Sequence, residues 1–194
     1  STDDWDALQD VANVAVALST NGGGEIYIPA GAYIIRDEWL FQIASDIVGP
    51  ITITGAGGYS GDGATQLIFA PTTTKRGLVL SSTQQFHFKN IASIGSGDNA
   101  AVLSAIAAEG SPVFSAFMNT FEKCSFRMFS SRSAITGLIR IRNAALTRFI
   151  DCWIGQTNGS RRQKVILGGA ADGTKEGSGA AGQTLFQACQ IYCD

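Results

Sequence analysis

Residues 121–126 have the sequence FEKCSF, and the same frame returns three more times in the second half of the chain. Its other copies are FKNI at 88–91, FIDCWI at 149–154 and FQACQI at 186–191. The leading phenylalanines are separated by 33, 28 and 37 residues. Repeats with periods of about 20–50 residues are typical of solenoids, in which each unit stacks on its neighbour. The unequal periods favour a coil with fixed strands and loops of variable length.

The repeat also predicts which of its positions are buried. Phenylalanine at the first place and cysteine or isoleucine at the fourth are expected to point into a core, with a corner between them. The third place is then a turn residue in the left-handed region, for which Asn90 and Asp151 are well suited and Lys123 and Ala188 less so. Stacked units place equivalent side chains about 4.8 Å apart. The fourth-place residues are therefore expected to form a buried ladder of Ile91, Cys124, Cys152 and Cys189.

The four cysteines are expected to be free thiols rather than disulfides. Cys189 and Cys193 are four residues apart on a predicted strand, so their Cα atoms would lie roughly 13 Å apart, too far for a bridge. Cys124, Cys152 and Cys189 occupy core places of the repeat, where cysteine behaves as a small hydrophobic residue. With a single histidine and no paired-cysteine motif, no metal site is predicted.

The first half of the chain begins with a predicted helix and continues as short strands. Asp3 or Asp4 can accept hydrogen bonds from its first free amides, and the glycines at 22–24 end it. Residues 101–109 are expected to be either a second short helix or a loop. The helical apolar positions are Trp5, Leu8, Val11, Ala12, Ala15 and Leu18. The predicted strands cover residues 25–29, 33–35, 51–54, 66–69 and 78–80.

Composition and charge exclude several classes of protein. Glycine accounts for 23 of the 194 residues and charged residues for only 15%, which favours β-structure with many turns over a helical bundle. No apolar run approaches the roughly 18 residues of a membrane span, so no membrane insertion is expected. A pI near 5.4 does not predict nucleic acid as a partner. Residues 1–120 carry a net charge of -7 and residues 121–194 one of +5; this asymmetry marks either a surface for an acidic partner or an ordinary mosaic of solvated faces.

The opening of the chain resembles that of pectate-lyase-like right-handed parallel β-helix proteins, a family that includes bacteriophage tailspikes. The resemblance rests on residues 3–9 (DDWDALQ), 23–33 (GGEIYIPAGAY), 51–57 (ITITGAG) and 65–68 (TQLI), together with the later repeat. It implies an all-β fold: a single-stranded right-handed parallel β-helix, a solenoid, with an N-terminal capping α-helix over residues 1–22. Residues 23–194 would form its coils, and we expect them to be the front part of a longer chain.

The resemblance also implies a role. It predicts a tailspike-like or tail-fibre-like virion protein, assembled in the host cytoplasm or alternatively secreted, that recognises cell-surface polysaccharide as a homotrimer and contacts other tail or baseplate proteins. Depolymerase activity is one further expectation, without a cofactor. The alternatives are a free-standing polysaccharide lyase or glycoside hydrolase of the same fold, and a purely structural spike segment.

The candidate carbohydrate-binding residues are arginines of the basic half. Arg140 and Arg142 alternate on one predicted strand and so share a face, and Arg148 is expected to stack on a neighbouring coil. With basic residues of the predicted loop at 161–164, they could hold an anionic glycan by bidentate contacts. Solvated outer faces of a coil would have the same pattern.

No catalytic residue is assigned, although three side chains are candidates. Glycoside hydrolysis needs two carboxyl groups about 5–9.5 Å apart, and Glu122 and Asp151 are the acids of the repeat. The alternative for Asp151 is a surface ion pair with Lys123 in the same column. His87 alternates outward between two core phenylalanines, which is the ordinary place of a surface histidine. The aromatic residues that could stack on sugar rings are Trp39, Tyr59 and Trp153.

Overall fold

The computed structural model consists mainly of parallel β-sheets preceded by one helix. It describes residues 3–43, 49–58, 63–73, 75–96, 103–109, 116–128, 139–142, 144–156, 165–167 and 181–192. Within these ranges every strand pairing is parallel. The chain visits the sheets in turn and then returns to the first one, as expected of an all-β solenoid.

Two six-stranded sheets meet at the repeated corner. The first sheet contains, in spatial order, β1 (Gly24–Ile28), β4 (Ile51–Gly55), β7 (Phe86–Lys89), β11 (Thr120–Glu122), β15 (Arg148–Ile150) and β19 (Leu185–Gln187). The second contains β2 (Gly31–Ile35), β5 (Thr65–Phe69), β8 (Ile91–Gly95), β12 (Ser125–Met128), β16 (Trp153–Gln156) and β20 (Gln190–Ile191).

Two further sheets complete the coils. The third sheet contains β3 (Trp39–Gln42), β6 (Arg76–Ser81), β9 (Leu103–Glu109), β13 (Ile139–Arg142) and β17 (Val165–Leu167). The fourth contains β10 (Ala116–Phe117), β14 (Ala144–Ala145) and β18 (Ala181–Gly182).

The helix α1 (Trp5–Thr20) has the predicted position and lies against the first coils. Its residues Leu8, Ala12 and Ala15 are buried in the core. Asp3 accepts a hydrogen bond from the amide of Trp5 at 3.1 Å. The helix ends before two glycines, Gly22 and Gly23, with φ of 101° and 105°. Since the left-handed side of φ is nearly free of strain only for glycine, these residues let the chain turn directly into β1.

The prediction for residues 101–109 was wrong, because β9 occupies Leu103–Glu109. The strand is neither a helix nor a loop, since its backbone pairs with β6 on one side and with β13 on the other. Hydrogen bonds to two neighbouring strands override a local sequence whose apolar spacing is ambiguous. The strand β3 was also absent from the prediction, whereas the five predicted strands are all present with small shifts of their ends.

The corners of the repeat have the predicted conformation at all four third places. Asn90, Lys123, Asp151 and Ala188 have φ of 54°, 53°, 52° and 54°. Lys123 and Ala188 therefore adopt the left-handed region although their side chains do not favour it. A second left-handed column, which the sequence did not reveal, lies three residues before each phenylalanine and consists of Gln85, Met118, Leu146 and Gln183.

The phenylalanines of the repeat form a stack along the core. Their ring centroids are 5.3 Å apart between Phe88 and Phe121, 5.1 Å between Phe121 and Phe149, and 4.8 Å between Phe149 and Phe186. The strand register pairs each of these residues with the next. Parallel pairing in register thus turns the sequence repeat into one continuous hydrophobic column.

The predicted buried ladder is confirmed for Ile91, Cys124 and Cys152, whereas Cys189 is only partly buried. Cys124, Cys152 and Cys189 are free thiols. Each donates a hydrogen bond to a carbonyl of the preceding coil: Cys124 to Phe88 at 3.5 Å, Cys152 to Phe121 at 3.4 Å and Cys189 to Phe149 at 3.3 Å. Cys193 lies outside the described residues.

Truncation of a phenylalanine in the stack should lower the free energy of unfolding far more than truncation of a phenylalanine at the surface. Phe121 is fully buried, so Phe121→Ala is expected to lower the free energy of unfolding by about 3–5 kcal/mol. The matched control is Phe117→Ala, since Phe117 is 36% exposed, and its cost should be about 1 kcal/mol or less. Chemical denaturation measures both, and equal costs would contradict the stacked core.

Replacement of Gly58, in the connection between β4 and β5, is expected to lower the stability of the fold. A Cβ built on Gly58 would overlap the carbonyl oxygen of Lys123 and approach Asn90, so the connection lies directly on the corners of later coils. Gly58→Ala should therefore cost about 1–3 kcal/mol through overpacking. In Gly63→Ala the new methyl group has no neighbouring atom within 4 Å, so no loss of stability is expected. Thermal unfolding of the two variants tests the difference.

Candidate functional site

The outer face of the first sheet carries two rows of solvent-facing side chains, which together we call the outer strip. Strand register places one residue of each coil in each row, at the spacing of neighbouring strands. The first row is Glu25, Thr52, His87, Thr120, Arg148 and Leu185. The second row is Tyr27, Thr54, Lys89, Glu122, Ile150 and Gln187.

Glu122 lies at the centre of the charged part of the outer strip. One of its carboxylate oxygens is 3.1 Å from His87 Nε2 and 3.5 Å from Lys89 Nζ. Both partners belong to the preceding coil, and all three side chains are about one-third exposed. The carboxylate is thus held between the buried Nε2 atom of His87 and the ammonium group of Lys89.

The surroundings of His87 keep its ring neutral. Partial burial and the positive charge of Lys89 lower the pKa of His87 from its ordinary value of 6.5, and they outweigh the opposite effect of Glu122. The neutral ring can therefore accept a proton from an acidic group of a ligand. An anion bound beside it would favour protonation and raise the pKa again.

The ends of the outer strip add hydroxyl, aromatic and cationic groups. Thr54 donates a hydrogen bond to Glu25 at 3.3 Å, and Tyr27 is 61% exposed. On the other side, Arg148 is exposed and forms no ion pair with another described residue. The strip therefore combines donors, acceptors, an exposed ring and a guanidinium on one surface.

The three predicted carbohydrate-binding arginines lie in two different sheets. Arg140 and Arg142 belong to β13 in the third sheet, where Arg140 pairs with Ala107 and Arg142 with Glu109. Arg148 belongs to β15 in the first sheet, opposite Thr120. The structure thus keeps Arg140 and Arg142 together and separates Arg148 from them by one short strand and a left-handed corner at Leu146.

The acids proposed for catalysis occupy adjacent coils. Glu122 contacts the preceding coil, whereas Asp151 lies at the corner of the following one, where its amide donates to the carbonyl of Gln187. Lys123 and Asp151 are equivalent corner residues, as the repeat predicted, and their ion pair stays a prediction. The basic residues at 161–164 and the sequence Asn158-Gly159-Ser160 lie outside the described residues.

The expectation that Trp39 stacks on sugars was wrong, because this residue is fully buried. Its indole donates to the carbonyl of Leu8 at 2.6 Å and its ring packs edge-on against Phe41. Trp153, by contrast, is on the surface of the second sheet between two other side chains. The Arg127 guanidinium lies 4.7 Å from its ring centroid, and the Tyr192 ring lies 5.4 Å from it. Tyr59 lies outside the described residues.

Neither thiol chemistry nor metal chemistry is supported in the described part of the chain. The hydrogen bond with Cys124 and burial both raise the pKa of Cys152, and burial raises the pKa of Cys189, so both thiols stay protonated at neutral pH. No group of three or more histidine, cysteine, aspartate or glutamate side chains within the described ranges could hold a metal ion.

Sequence reasoning missed Lys89 and Tyr27 as members of the site. Lys89 follows Phe88 as Glu122 follows Phe121, so the repeat alone could have placed these two charges side by side. Tyr27 has no such signal, because β1 belongs to a coil that lacks the phenylalanine frame.

Comparison of the chain with protein-family models, with curated proteins and with solved structures gave no match. Within the described residues, no helix combines the length and the apolar character of a membrane span.

The single histidine makes the electrostatics of the site directly measurable by NMR titration. Its pKa should lie below 6.5, should fall further in Glu122→Gln and should rise in Lys89→Gln. Because the folded-state pKa is lowered, the stability that His87 contributes is complete above the unfolded-state value and is lost as pH falls through the folded-state pKa. Arg148→Gln, two strands away, is the control. A wild-type pKa above 6.5 would contradict this arrangement.

Proposed function

We propose that the chain forms coils of a single-stranded right-handed parallel β-helix. Support comes from the parallel order of all its described strand pairs and from the physical preference for right-handed crossovers. Connections between parallel strands of one sheet are almost always right-handed, because the right-handed twist of the strands lets the connection pack back onto the sheet only with that handedness. The resemblance of the opening residues to pectate-lyase-like proteins points the same way.

The proposed function is recognition of polysaccharide by the outer strip. The observation that carries it is the repetition of polar groups along the strip at the spacing of the strands. A sugar polymer also repeats, and it presents hydroxyl groups and, in acidic glycans, carboxylates. Threonine hydroxyls, Glu122, the neutral His87 ring and the cations Lys89 and Arg148 are suited to such groups, while Tyr27 offers an apolar ring face.

The proposed context is a tailspike-like virion protein that binds cell-surface polysaccharide as a homotrimer, with other tail or baseplate proteins as partners. It rests on the resemblance of residues 3–9 and 23–33 and of the repeat to that family. Solenoids suit this role because stacking provides a long, stiff surface from a short repeat.

Binding is favoured over cleavage by the composition of the outer strip. A glycoside hydrolase of the usual kind requires two carboxyl groups facing one bond, and Glu122 is already paired with His87 and Lys89. A lyase or hydrolase would have to recruit Asp151 as well. We therefore retain depolymerase activity as the second candidate function.

The test is binding of size-fractionated bacterial capsular polysaccharides and O-antigen chains, both acidic and neutral. Thr120→Val combined with Arg148→Ala should weaken binding roughly tenfold or more through lost hydrogen bonds and charge. The matched control is Thr147→Val, since the Thr147 hydroxyl is buried and makes no hydrogen bond within the described residues.

Three outcomes separate the candidate functions. Affinity that increases with glycan length and falls in the double variant supports the outer strip as the site. Shortening of the polymer, abolished in Glu122→Gln or Asp151→Asn, would establish the depolymerase instead. If no glycan binds, or if the double variant binds like the control, recognition by this surface is wrong and a purely structural spike segment remains.

A further inference from the structure

The first coil ends in three edge strands. By strand order, β1 and β2 are each the last strand of their sheet, and β3 is the last strand of the third. An edge strand leaves every second amide and carbonyl without a neighbour, and such an edge readily pairs with another chain. Residues of the N-terminal segment form hydrogen bonds with two of these three edges and leave the third without such bonds.

The edges of β2 and β3 are closed by residues of the N-terminal segment. At β2, the Ile34 carbonyl accepts from the Asp4 amide and the Ile34 amide donates to the Asp4 carboxylate, both at 2.8 Å. At β3, the Leu40 amide donates to Gln9 Oε1 at 3.1 Å, and Gln9 Nε2 donates to the Leu40 carbonyl at 2.9 Å. Asp4 and Gln9 thus occupy the places that a further strand would take.

The edge of β1 is open. The Gly24 amide donates to Pro50 beside β4 at 3.0 Å, and amides alternate in direction along a strand. The amides of Glu25 and Tyr27 therefore point away from β4. Among the described residues, none accepts a hydrogen bond from either of them.

An apolar groove runs along this open edge. Two adjoining cavities of about 190 and 210 Å³ lie between α1 and β1. Val14 is 53% exposed and Tyr27 is 61% exposed, which is unusual for large apolar side chains that flank the same groove. The groove is lined mainly by Ala7, Val11, Val14, Ile26, Tyr27 and Tyr33.

The rim of the groove is acidic. Asp4 and Asp10 line the cavities, Glu25 belongs to β1, and no basic residue precedes Arg36. The first lysine of the sequence, Lys75, is paired with Asp37 at 2.9 Å. A ligand of this groove is therefore expected to carry positive charge as well as apolar side chains.

We propose that the open edge of β1 is a docking site for an extended segment of a partner protein, in which apolar and basic side chains alternate. The segment adds a strand to the first sheet and bonds the backbone of Glu25 and Tyr27. Its apolar side chains enter the groove beside Val11 and Val14, and its basic side chains face Asp10 and Glu25. This is strand addition with pockets for alternate side chains. It does not rest on glycan recognition, although Glu25 and Tyr27 also belong to the outer strip.

The probe is a blocked heptapeptide of alternating lysine and valine, added to the intact chain. Amide hydrogen exchange followed by NMR should show fast exchange at Glu25 and Tyr27 in the free protein, and slow exchange at Ile26 and Ile28, which face β4. The peptide should slow exchange at Glu25 and Tyr27 alone. The same peptide with every amide N-methylated should bind at least roughly tenfold more weakly, because it cannot form the ladder.

Charge and self-association are tested separately. A glutamate–valine peptide should bind more weakly than the lysine–valine peptide, and Asp10→Asn should weaken binding of the latter. Asp6→Asn is the matched control, since Asp6 is on the same helix but does not line the groove. Unchanged exchange at Glu25 and Tyr27, or equal binding of the N-methylated peptide, would overturn the proposal. If these two amides exchange more slowly as the concentration of the protein alone increases, a second copy of the chain occupies the edge of β1. That result would also overturn the proposal.

Discussion

Parallel hydrogen bonding in register between successive coils is the constraint on which the rest of this structure depends. Because side chains alternate along a strand, a shift by one residue would turn every phenylalanine of the repeat toward solvent. The register instead pairs Phe88 with Phe121, Phe121 with Phe149, and Phe149 with Phe186. Core and surface are thus determined together, since the residues beside each phenylalanine must form the outer strip.

The corners show how strongly this ladder constrains the backbone. Asparagine and aspartate tolerate a left-handed turn, yet Lys123 and Ala188 adopt the same φ as Asn90 and Asp151. The intrinsic cost of roughly 1–2 kcal/mol at each place is offset by the hydrogen bonds that join neighbouring coils. The Lys123 amide, for example, donates to the Ile150 carbonyl at 2.9 Å.

The same ladder has consequences at the surface and at its end. On the outer face it brings Glu122 against His87 and Lys89, which are more than thirty residues away in sequence. At the first coil the described residues supply no further strand, so the polar groups of the ladder need other partners. Asp4 and Gln9 supply them for β2 and β3, and the edge of β1 is left available.

The sequence by itself determined the kind of architecture and the identity of its core. The phenylalanine–cysteine frame predicted a solenoid, the left-handed corners and the ladder of free thiols, and helical periodicity located α1. These features are readable because each follows from a local rule: a period, a turn residue or a side-chain type. The sequence also indicated that His87 faces outward and that Glu122 is one of the two acids of the repeat.

Tertiary structure alone decided which distant residues meet. It paired Leu103–Glu109 as a strand between two others, buried Trp39 in the core and placed Arg148 in a different sheet from Arg140 and Arg142. The physical reason is that loops of unequal length separate the coils, so sequence distance does not report spatial distance. Only hydrogen bonds between strands establish the register, and with it the contact of Glu122 with His87 and the open edge of β1.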